Sequence, residues 1–235
     1  MPLNSRLLKI AGMIREGDRV ADIGTDHAYL PVFLIKSGKH SKVFACDIGD
    51  GPLKKAAENI NKSNVGGIIL RKGDGLLAVE PSEVDTVVIA GMGGDLIARI
   101  LAAAEWVKDS RYEFILQPMT SVEDLRQYIC EAGFYVLKEE AVKSQGRIYT
   151  VMKVRYSGEF RPCDALFRYF GLLLETHEEP ELIYIKRKFK ILKALVKKLE
   201  NVAGKEDTVN EINAVLAQLE EFIEKWHLTD YFYGS

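Results

Sequence analysis

Apolar and polar positions alternate with two different periods along this chain. Up to residue 156, short runs rich in β-branched residues alternate with longer stretches of helical spacing. Five runs have almost no polar positions, as in parallel strands covered on both faces: 20–23, 43–48, 68–70, 85–90 and 114–116. Two more, 135–141 and 147–156, are joined by a short connection, which predicts a hairpin at the sheet edge. The pattern predicts a doubly wound α/β domain of seven strands, mostly parallel, that ends in an antiparallel edge strand.

Helix-end residues predict where two of the crossover helices begin. Asp95 follows the glycines after the fourth strand and is predicted to cap a helix over 96–103. Ser121 and Asp124 resemble a capping box for a helix over 122–132. Both helices are therefore expected to begin just after a strand.

Toward the C-terminus the period changes and no strand is predicted. Apolar residues recur in steps of three and four over 182–203 and again over 209–226, with Gly204 between them. This heptad spacing predicts an antiparallel helical hairpin of the coiled-coil type. We therefore predict an α/β domain over residues 1–160 and a helical domain over residues 161–235.

The first helix of this hairpin is basic and the second is acidic. Arg187 lies beside a stripe of four lysines on the first helix, Lys186, Lys190, Lys193 and Lys197. The second helix carries Glu211, Glu220, Glu221 and Glu224. Either the two helices are solvated and have complementary charged flanks, or the basic stripe with Arg187 binds nucleic-acid phosphates.

Composition narrows the class of protein without deciding its function. The 235 residues can hold one full domain and a smaller one, and the formal net charge is −2. The three cysteines, Cys46, Cys130 and Cys163, are scattered and form no C-x-x-C pair, which argues against a zinc knuckle or a disulfide framework. No apolar run approaches the length of a membrane span. We predict a cytoplasmic protein with no metal site and no membrane association.

The segment that follows the first strand carries the main chemical signal. Gly24 allows a tight turn with its backbone close to a ligand, and Pro31 fits the first turn of the next helix. A dinucleotide fingerprint needs a second glycine where this chain has Asp26, whose carboxylate would repel a pyrophosphate. This disfavours NAD and FAD and favours a cofactor with a positive centre, such as S-adenosylmethionine. The alternative is that Gly24 is only the glycine that many α/β proteins carry at this turn.

Other strand ends carry residues suited to a nucleoside. Asp47 is placed to accept hydrogen bonds from a ribose diol, or else it begins a loop. Asp74, between Gly73 and Gly75, is placed to contact an adenine amino group, or else the three residues form a plain turn. The glycines at 91, 93 and 94 are expected to leave room for a flat group above the sheet.

Arg6 lies in the first turn of a helix predicted over 3–14. It is either a solvated arginine or, if this helix covers the strand ends, a contact for an anion or a cofactor carboxylate.

Five motifs together give a resemblance to a known family. They are D-I-G-T-D-H-A-Y-L-P at 22–31, A-C-D-I at 45–48, G-D-G at 73–75, I-A-G-M-G-G at 89–94 and L-Q-P-M at 116–119. Over essentially its whole length the chain resembles the bacterial TrmK family of tRNA adenine-N1 methyltransferases. The resemblance implies a class I Rossmann-like methyltransferase fold and S-adenosylmethionine as methyl donor, with S-adenosylhomocysteine as product. It also implies methylation of N1 of adenine 22 in the D-arm of tRNA; no obligate protein partner is expected.

The resemblance also implies roles for residues at the strand ends. Residues expected around the methionine and ribose parts of the donor are Asp22, Gly24, Asp26, His27 and Ala28. Those expected at the ribose, the adenine and the methyl group are Asp47, Ile48, Asp74, Ala90, Gly91 and Met92.

A catalytic role is a separate hypothesis. Methylation makes the adenine ring cationic and acidifies its 6-amino group, so that Asp26, with His27 and Tyr29 beside it, would orient the base or take a proton. The alternative for His27 is a cofactor contact or packing at the helix N-terminus.

Two other classes of function stay open from the residues alone. The same domain would methylate a small molecule if the helical hairpin were a lid or a dimer contact. The chain would instead be a non-catalytic nucleoside-binding protein if its heptads bound a partner protein.

Overall fold

The computed structural model describes residues 3–234. The chain divides into two compact units, Met1–Pro162 and Cys163–Ser235. The first unit holds a sheet and its covering helices, and the second is helical.

Seven strands form one sheet in the first unit, in the order β3-β2-β1-β4-β5-β7-β6. They are β1 (Val20–Ile23), β2 (Val43–Asp47), β3 (Ile68–Lys72), β4 (Thr86–Gly93), β5 (Glu113–Thr120), β6 (Phe134–Ser144) and β7 (Arg147–Tyr156). Strands β1 to β5 are parallel, and β7 is antiparallel to both of its neighbours. The predicted mostly parallel Rossmann-like sheet is confirmed. The antiparallel strand is not the edge strand, however, because β7 inserts between β5 and β6.

The helices of the first unit are α1 (Ser5–Met13), α2 (Tyr29–Lys36), α3 (Asp50–Ser63), α4 (Gly94–Ala102) and α5 (Val122–Glu131). Asn4 is the N-cap of α1, and its side chain accepts from the Leu7 amide at 2.9 Å. Pro31 is the third residue of α2, within its first turn, as predicted.

One predicted helix cap is wrong, and a second lies at the predicted residue but makes no capping bond. The N-cap of α4 is Gly93, so Asp95 lies inside the first turn. Ser121 is the N-cap residue of α5, as predicted, but it has a φ of 51° and makes no capping bond. Its hydroxyl donates to Asp95 Oδ2 at 3.2 Å instead. The physical reason is that β4 and β5 extend farther than predicted and leave no separate loop for a side-chain cap.

The extension of β4 and β5 shapes the carboxyl edge of the sheet. They stay paired at Ala90↔Gln117 and at Gly93↔Thr120, with irregular register around Met92. Strand β1 ends earlier, where Ile23 pairs with Ile89. Beyond Ile89, β4 is therefore still paired with β5 on one side, but it is no longer paired with β1 on the other.

The second unit contains α6 (Ala165–Phe170), a short 3₁₀ helix (Gly171–Glu175), α7 (Glu179–Leu199), α8 (Glu206–Lys225) and α9 (Thr229–Tyr233). The long helices α7 and α8 lie where the two heptad helices are predicted. The pattern did not predict the short elements, which bury Phe170 and Phe232 in the same apolar core as Phe189 and Leu219. Within residues 3–234, no helix is both long and apolar enough to cross a membrane.

Candidate active site

A cleft of about 410 Å³ opens at the carboxyl ends of β1 and β4. We call it the strand-end cleft. Nine of its lining residues were predicted as site residues: Arg6, Asp22, Gly24, Asp26, His27, Ala28, Tyr29, Ala90 and Gly91. Asn4, Thr25 and Gln145 also line it and were not predicted. Asn4 and Gln145 had no signal because each reaches the cleft from an element distant in sequence.

The turn after β1 exposes bare backbone to the strand-end cleft. The amides of Gly24 and Thr25 both donate to the Cys46 carbonyl, at 2.8 and 2.9 Å. Gly24 has a φ of +79°, and a Cβ there would lie 2.2 Å from Met92 Cε. Glycine therefore both permits the turn and makes room for the Met92 side chain.

Asp22 places a buried carboxyl group at the floor of this site. Its burial raises its pKa to about 6, while Thr25 and Arg6 act in the opposite direction. A cation bound in the cleft would favour the ionised form of this carboxyl group.

Asp26, His27 and Tyr29 lie together at the exposed part of the cleft. His27 Nε2 is 3.2 Å from Asp26 Oδ2, and the His27 and Tyr29 rings stack with centroids 5.2 Å apart. The His27 carbonyl accepts from Asn59 Nδ2 at 2.8 Å. Ala28, at a φ of 51°, is the N-cap residue of α2. The backbone is thus anchored, the Asp26 and Tyr29 side chains are exposed, and the His27 ring is half-buried.

Gln117 is a site residue that the sequence analysis missed. Its side-chain oxygen accepts from the Gly91 amide at 3.1 Å and from Arg6 Nη1. Burial lowers the pKa of the Arg6 guanidinium, while Tyr149 and Asp22 act to raise it. The available signal was the L-Q-P-M motif, in which a glutamine follows a buried apolar run.

The remaining predicted cofactor residues lie outside the strand-end cleft. Asp47 Oδ1 accepts from the Gly49 amide at 2.8 Å, and the Asp47 carbonyl accepts from the Gly73 amide at 3.1 Å. Ile48 is 63% exposed.

Asp74 and Gly75 line a separate pocket of about 200 Å³ beside α4. Met92 packs against Gly24. The roles of these residues at the ribose and adenine stay predictions.

The expectation that all three glycines at positions 91, 93 and 94 leave room for a ligand is wrong. A Cβ on Gly94 would lie 2.1 Å from the Ser121 carbonyl oxygen, and one on Gly93 would lie 3.2 Å from Thr120 Oγ1. Those two glycines permit close packing against the end of β5. Gly91 alone of the three lines the cleft.

The lysine stripe of the second unit is partly engaged within that unit. Lys186 Nζ donates to the Tyr231 carbonyl, and Lys193 Nζ lies 3.2 Å from Glu220 Oε1. Lys190, Lys193 and Lys197 line a groove of about 320 Å³ with the aromatic residues Phe189, Phe232 and Tyr233. Arg187 is exposed on the same helix. The Lys193–Glu220 pair fits the interpretation of complementary flanks, and the basic groove fits that of phosphate binding.

No group of three or more His, Cys, Asp or Glu side chains within residues 3–234 is arranged to hold a metal ion.

Comparison with known proteins identifies the family. Residues 3–152 match the family described as "Methyltransferase domain". The tRNA (adenine(22)-N(1))-methyltransferase of Bacillus subtilis is 32% identical over 190 residues, which cover 80% of each protein. The crystal structure of the B. subtilis M1A22 tRNA methyltransferase TrmK covers 95% of this chain and 98% of that one, with a TM-score of 0.78 and 28% identity.

A second solved structure adds the cofactor. It is a putative tRNA (m1A22) methyltransferase of Streptococcus pneumoniae in complex with S-adenosyl-L-methionine. It covers 90% of this chain and 98% of that one, with a TM-score of 0.76 and 29% identity. The fold, the match of residues 3–152 and the identity to the B. subtilis enzyme agree, and this chain belongs to the tRNA (adenine(22)-N(1))-methyltransferase family.

Proposed function

We propose that this protein transfers the methyl group of S-adenosylmethionine to N1 of adenine 22 in tRNA. The observation that carries the proposal is the strand-end cleft, where acidic side chains meet a bare glycine turn in a chain of this family. Because tRNA is the substrate, the activity belongs in the cytoplasm.

The strand-end cleft fits a cationic donor. Its lining contains the acids Asp22 and Asp26 and the cation Arg6. The carboxylates suit a sulfonium and an ammonium, and Arg6 suits the donor's carboxylate. Gly24 also lines the cleft, and its φ of +79° gives the turn a shape that a residue with a side chain rarely adopts.

The bound donor supplies an activated methyl group, so the protein mainly positions the reactants. The bond from adenine N1 to the methyl carbon forms as the carbon–sulfur bond breaks, and its electron pair goes to sulfur. The positive charge moves to the adenine ring. N1 lies on the Watson–Crick edge, so the base must leave any pair, at a cost of about a few kcal/mol.

Asp26, His27 and Tyr29 are placed to meet this base. They lie at the exposed part of the cleft, where the His27 and Tyr29 rings stack at 5.2 Å and offer a flat surface. We assign them the role of orienting the base or accepting a proton from its 6-amino group. Asp47 and Ile48, with the loop from Gly73 to Gly75, would hold the ribose and adenine of the donor.

Donor affinity is expected to rise with pH through the titration of Asp22. Its pKa of about 6 in the free protein means that much of it is protonated at low pH, whereas a cationic donor needs the carboxylate. Calorimetry should show binding about tenfold weaker at about pH 5 than at about pH 8, because about one site in ten is ionised one unit below the pKa. The Asp22→Asn variant should bind weakly at every pH.

A His27→Gln variant is the control for this experiment because it removes the nearby imidazole. It should keep the same pH dependence. If the dependence disappears in His27→Gln and persists in Asp22→Asn, then Asp22 is not the titrating group.

The basic groove of the second unit is the proposed contact for tRNA phosphates. Lys190 and Lys197 are exposed there, and Arg187 and the partly engaged Lys186 and Lys193 complete the basic face. Lysines that neutralise phosphates release counterions, which makes binding depend on salt.

Replacing Lys190 and Lys197 together with glutamine is expected to weaken tRNA binding and lower its salt dependence. The slope of log affinity against log salt should fall by roughly 0.7–0.9 for each phosphate that the protein no longer neutralises. Lys36→Gln with Lys39→Gln is the matched control because both lysines are exposed near the opposite edge of the sheet from the strand-end cleft. Equal slopes for the two double variants would exclude the groove as the tRNA contact.

The function is tested directly with labelled donor and an unmodified tRNA transcript. We expect one methyl group per tRNA, mapped to N1 of adenine 22, and none in a transcript with guanine at that position. Transfer to another base, or no transfer to any tRNA, would contradict the proposed function.

A further inference from the structure

Gln117 is a fully buried polar residue at the carboxyl edge of the sheet, where its neighbours on β5 are apolar. Its Nε2 donates to the Pro118 carbonyl at 2.7 Å. Its Oε1 lies between two donors, the Gly91 amide at 3.1 Å and Arg6 Nη1. Only an oxygen can accept from both, so the orientation of the side-chain amide is determined by its partners. One buried side chain thus joins α1, β4 and β5.

The bond from Gln117 to the Gly91 amide determines the direction of the preceding carbonyl. No peptide bond within residues 3–234 is cis. In a trans peptide the carbonyl of Ala90 points opposite to the N–H of Gly91, and therefore away from Gln117 and β5. Strand β1 has ended on that side, and the Gly24 and Thr25 amides donate to Cys46 instead. The Ala90 carbonyl is therefore directed to the edge where Ala90 and Gly91 line the strand-end cleft.

Gln117 also holds the Arg6 side chain in place. A Cβ on Gly91 would lie 3.4 Å from Arg6 Nη1, so the guanidinium sits close above the Gly91 backbone. Arg6 is the only arginine among the cleft-lining residues, and its charge acts on Asp22. Loss of the Gln117 oxygen would release the guanidinium and the Ala90–Gly91 peptide together.

We propose that Gln117 is a positioning residue for methyl transfer, which directs the Ala90 carbonyl into the cleft to accept a hydrogen bond from an N–H group of the reactants. The proposal rests on the proposed function. Two reactant groups have this chemistry: the ammonium of the methyl donor and the 6-amino group of the target adenine. Gln117 touches neither, and acts through Ala90, Gly91 and Arg6.

The test compares two substitutions of Gln117 with a buried control. Gln117→Met keeps the length of the side chain and removes the acceptor, whereas Gln117→Glu keeps an oxygen between Arg6 and Gly91. Thr86→Val is the control, because Thr86 is equally buried on β4 and its hydroxyl donates to Asp18 Oδ2 at the opposite end of that strand. For each variant we would measure thermal stability, donor affinity by calorimetry, and kcat and KM for tRNA.

Gln117→Met is expected to lower the rate of methyl transfer at subsaturating donor and tRNA by roughly 10- to 100-fold, as small misplacements in an active site do. Gln117→Glu should recover part of this loss, because it keeps the acceptor for Arg6 and Gly91 but loses the bond to the Pro118 carbonyl. Thr86→Val should lose stability while keeping kcat. If the donor ammonium is the partner of Ala90, donor affinity falls and kcat at saturation is kept. If the adenine 6-amino group is the partner, kcat falls and donor affinity is kept.

Unchanged donor affinity and unchanged kcat in Gln117→Met would overturn the proposal. So would a loss shared equally by Gln117→Met, Gln117→Glu and Thr86→Val, because that would be an effect of stability alone. Failure of the proposed function is distinguishable, since the unsubstituted protein itself would then not methylate tRNA at adenine 22.

Discussion

Replacing Arg126 with methionine is expected to lower the free energy of unfolding by about 3–5 kcal/mol. The Arg126 and Glu139 side chains are both 0% exposed, and Arg126 Nη2 lies 2.7 Å from Glu139 Oε1. The substitution would leave the Glu139 carboxylate in the interior without this guanidinium, and removing one member of a buried ion pair is costly. Denaturant unfolding of the full chain measures the change.

The control for this prediction removes both charges. An Arg126→Met, Glu139→Leu double variant should recover most of the lost stability, because two apolar side chains of similar size need no counter-charge. Arg111→Met breaks an exposed ion pair with Asp109 and should leave unfolding nearly unchanged. If the double variant is less stable than Arg126→Met alone, Glu139 stabilises the fold through contacts other than Arg126, and its buried charge is not the cause of the loss.

The sequence pattern did not predict the ion pair between Arg126 and Glu139. Arg126 falls in a predicted helix and Glu139 in a predicted strand, and periodicity says nothing about which side chains meet across two elements. Gln117 was missed for the same reason, because its partners Arg6 and Gly91 come from α1 and β4. Long-range polar contacts depend on tertiary packing.

The sequence pattern also did not predict where β4 and β5 end. Gly91 and Pro118 normally interrupt strands, so the prediction ended both strands before them. In the structure the pairing continues past both residues with an irregular register. The prediction that ligand-binding residues gather at this edge was still possible, because parallel strands present their carboxyl ends on one side.

In the second unit, the period of the apolar residues was sufficient to predict the two long helices. Helices α7 and α8 are long enough for a repeating apolar stripe, so their heptads predicted them. Helix α9 has only 5 residues, too few for any period. Its packing, which bonds the Tyr231 carbonyl to Lys186, could not be predicted from the stripe of lysines alone.

Gly24→Val is expected to lower donor affinity by at least about 100-fold, a loss in the range that a small displacement of an active-site group can cause. A valine Cβ at this position would begin 2.2 Å from Met92 Cε, so the Met92 side chain must move and the branched side chain must occupy the edge of the cleft. The φ of +79° is also unfavourable for a β-branched residue, by roughly 1–2 kcal/mol. Calorimetry with S-adenosylmethionine and S-adenosylhomocysteine measures the loss.

Gly17→Val separates the effect of the filled space from that of the backbone strain. Gly17 has a φ of +88°, close to that of Gly24, but a Cβ there meets nothing within 4 Å. Both variants should therefore share the cost of the backbone strain, Gly24→Val should lose further stability because Met92 is displaced, and only Gly24→Val should lose donor binding. Equal donor affinity in the two variants would mean that the turn after β1 does not hold the donor, and it would remove the physical basis for placing S-adenosylmethionine in the strand-end cleft.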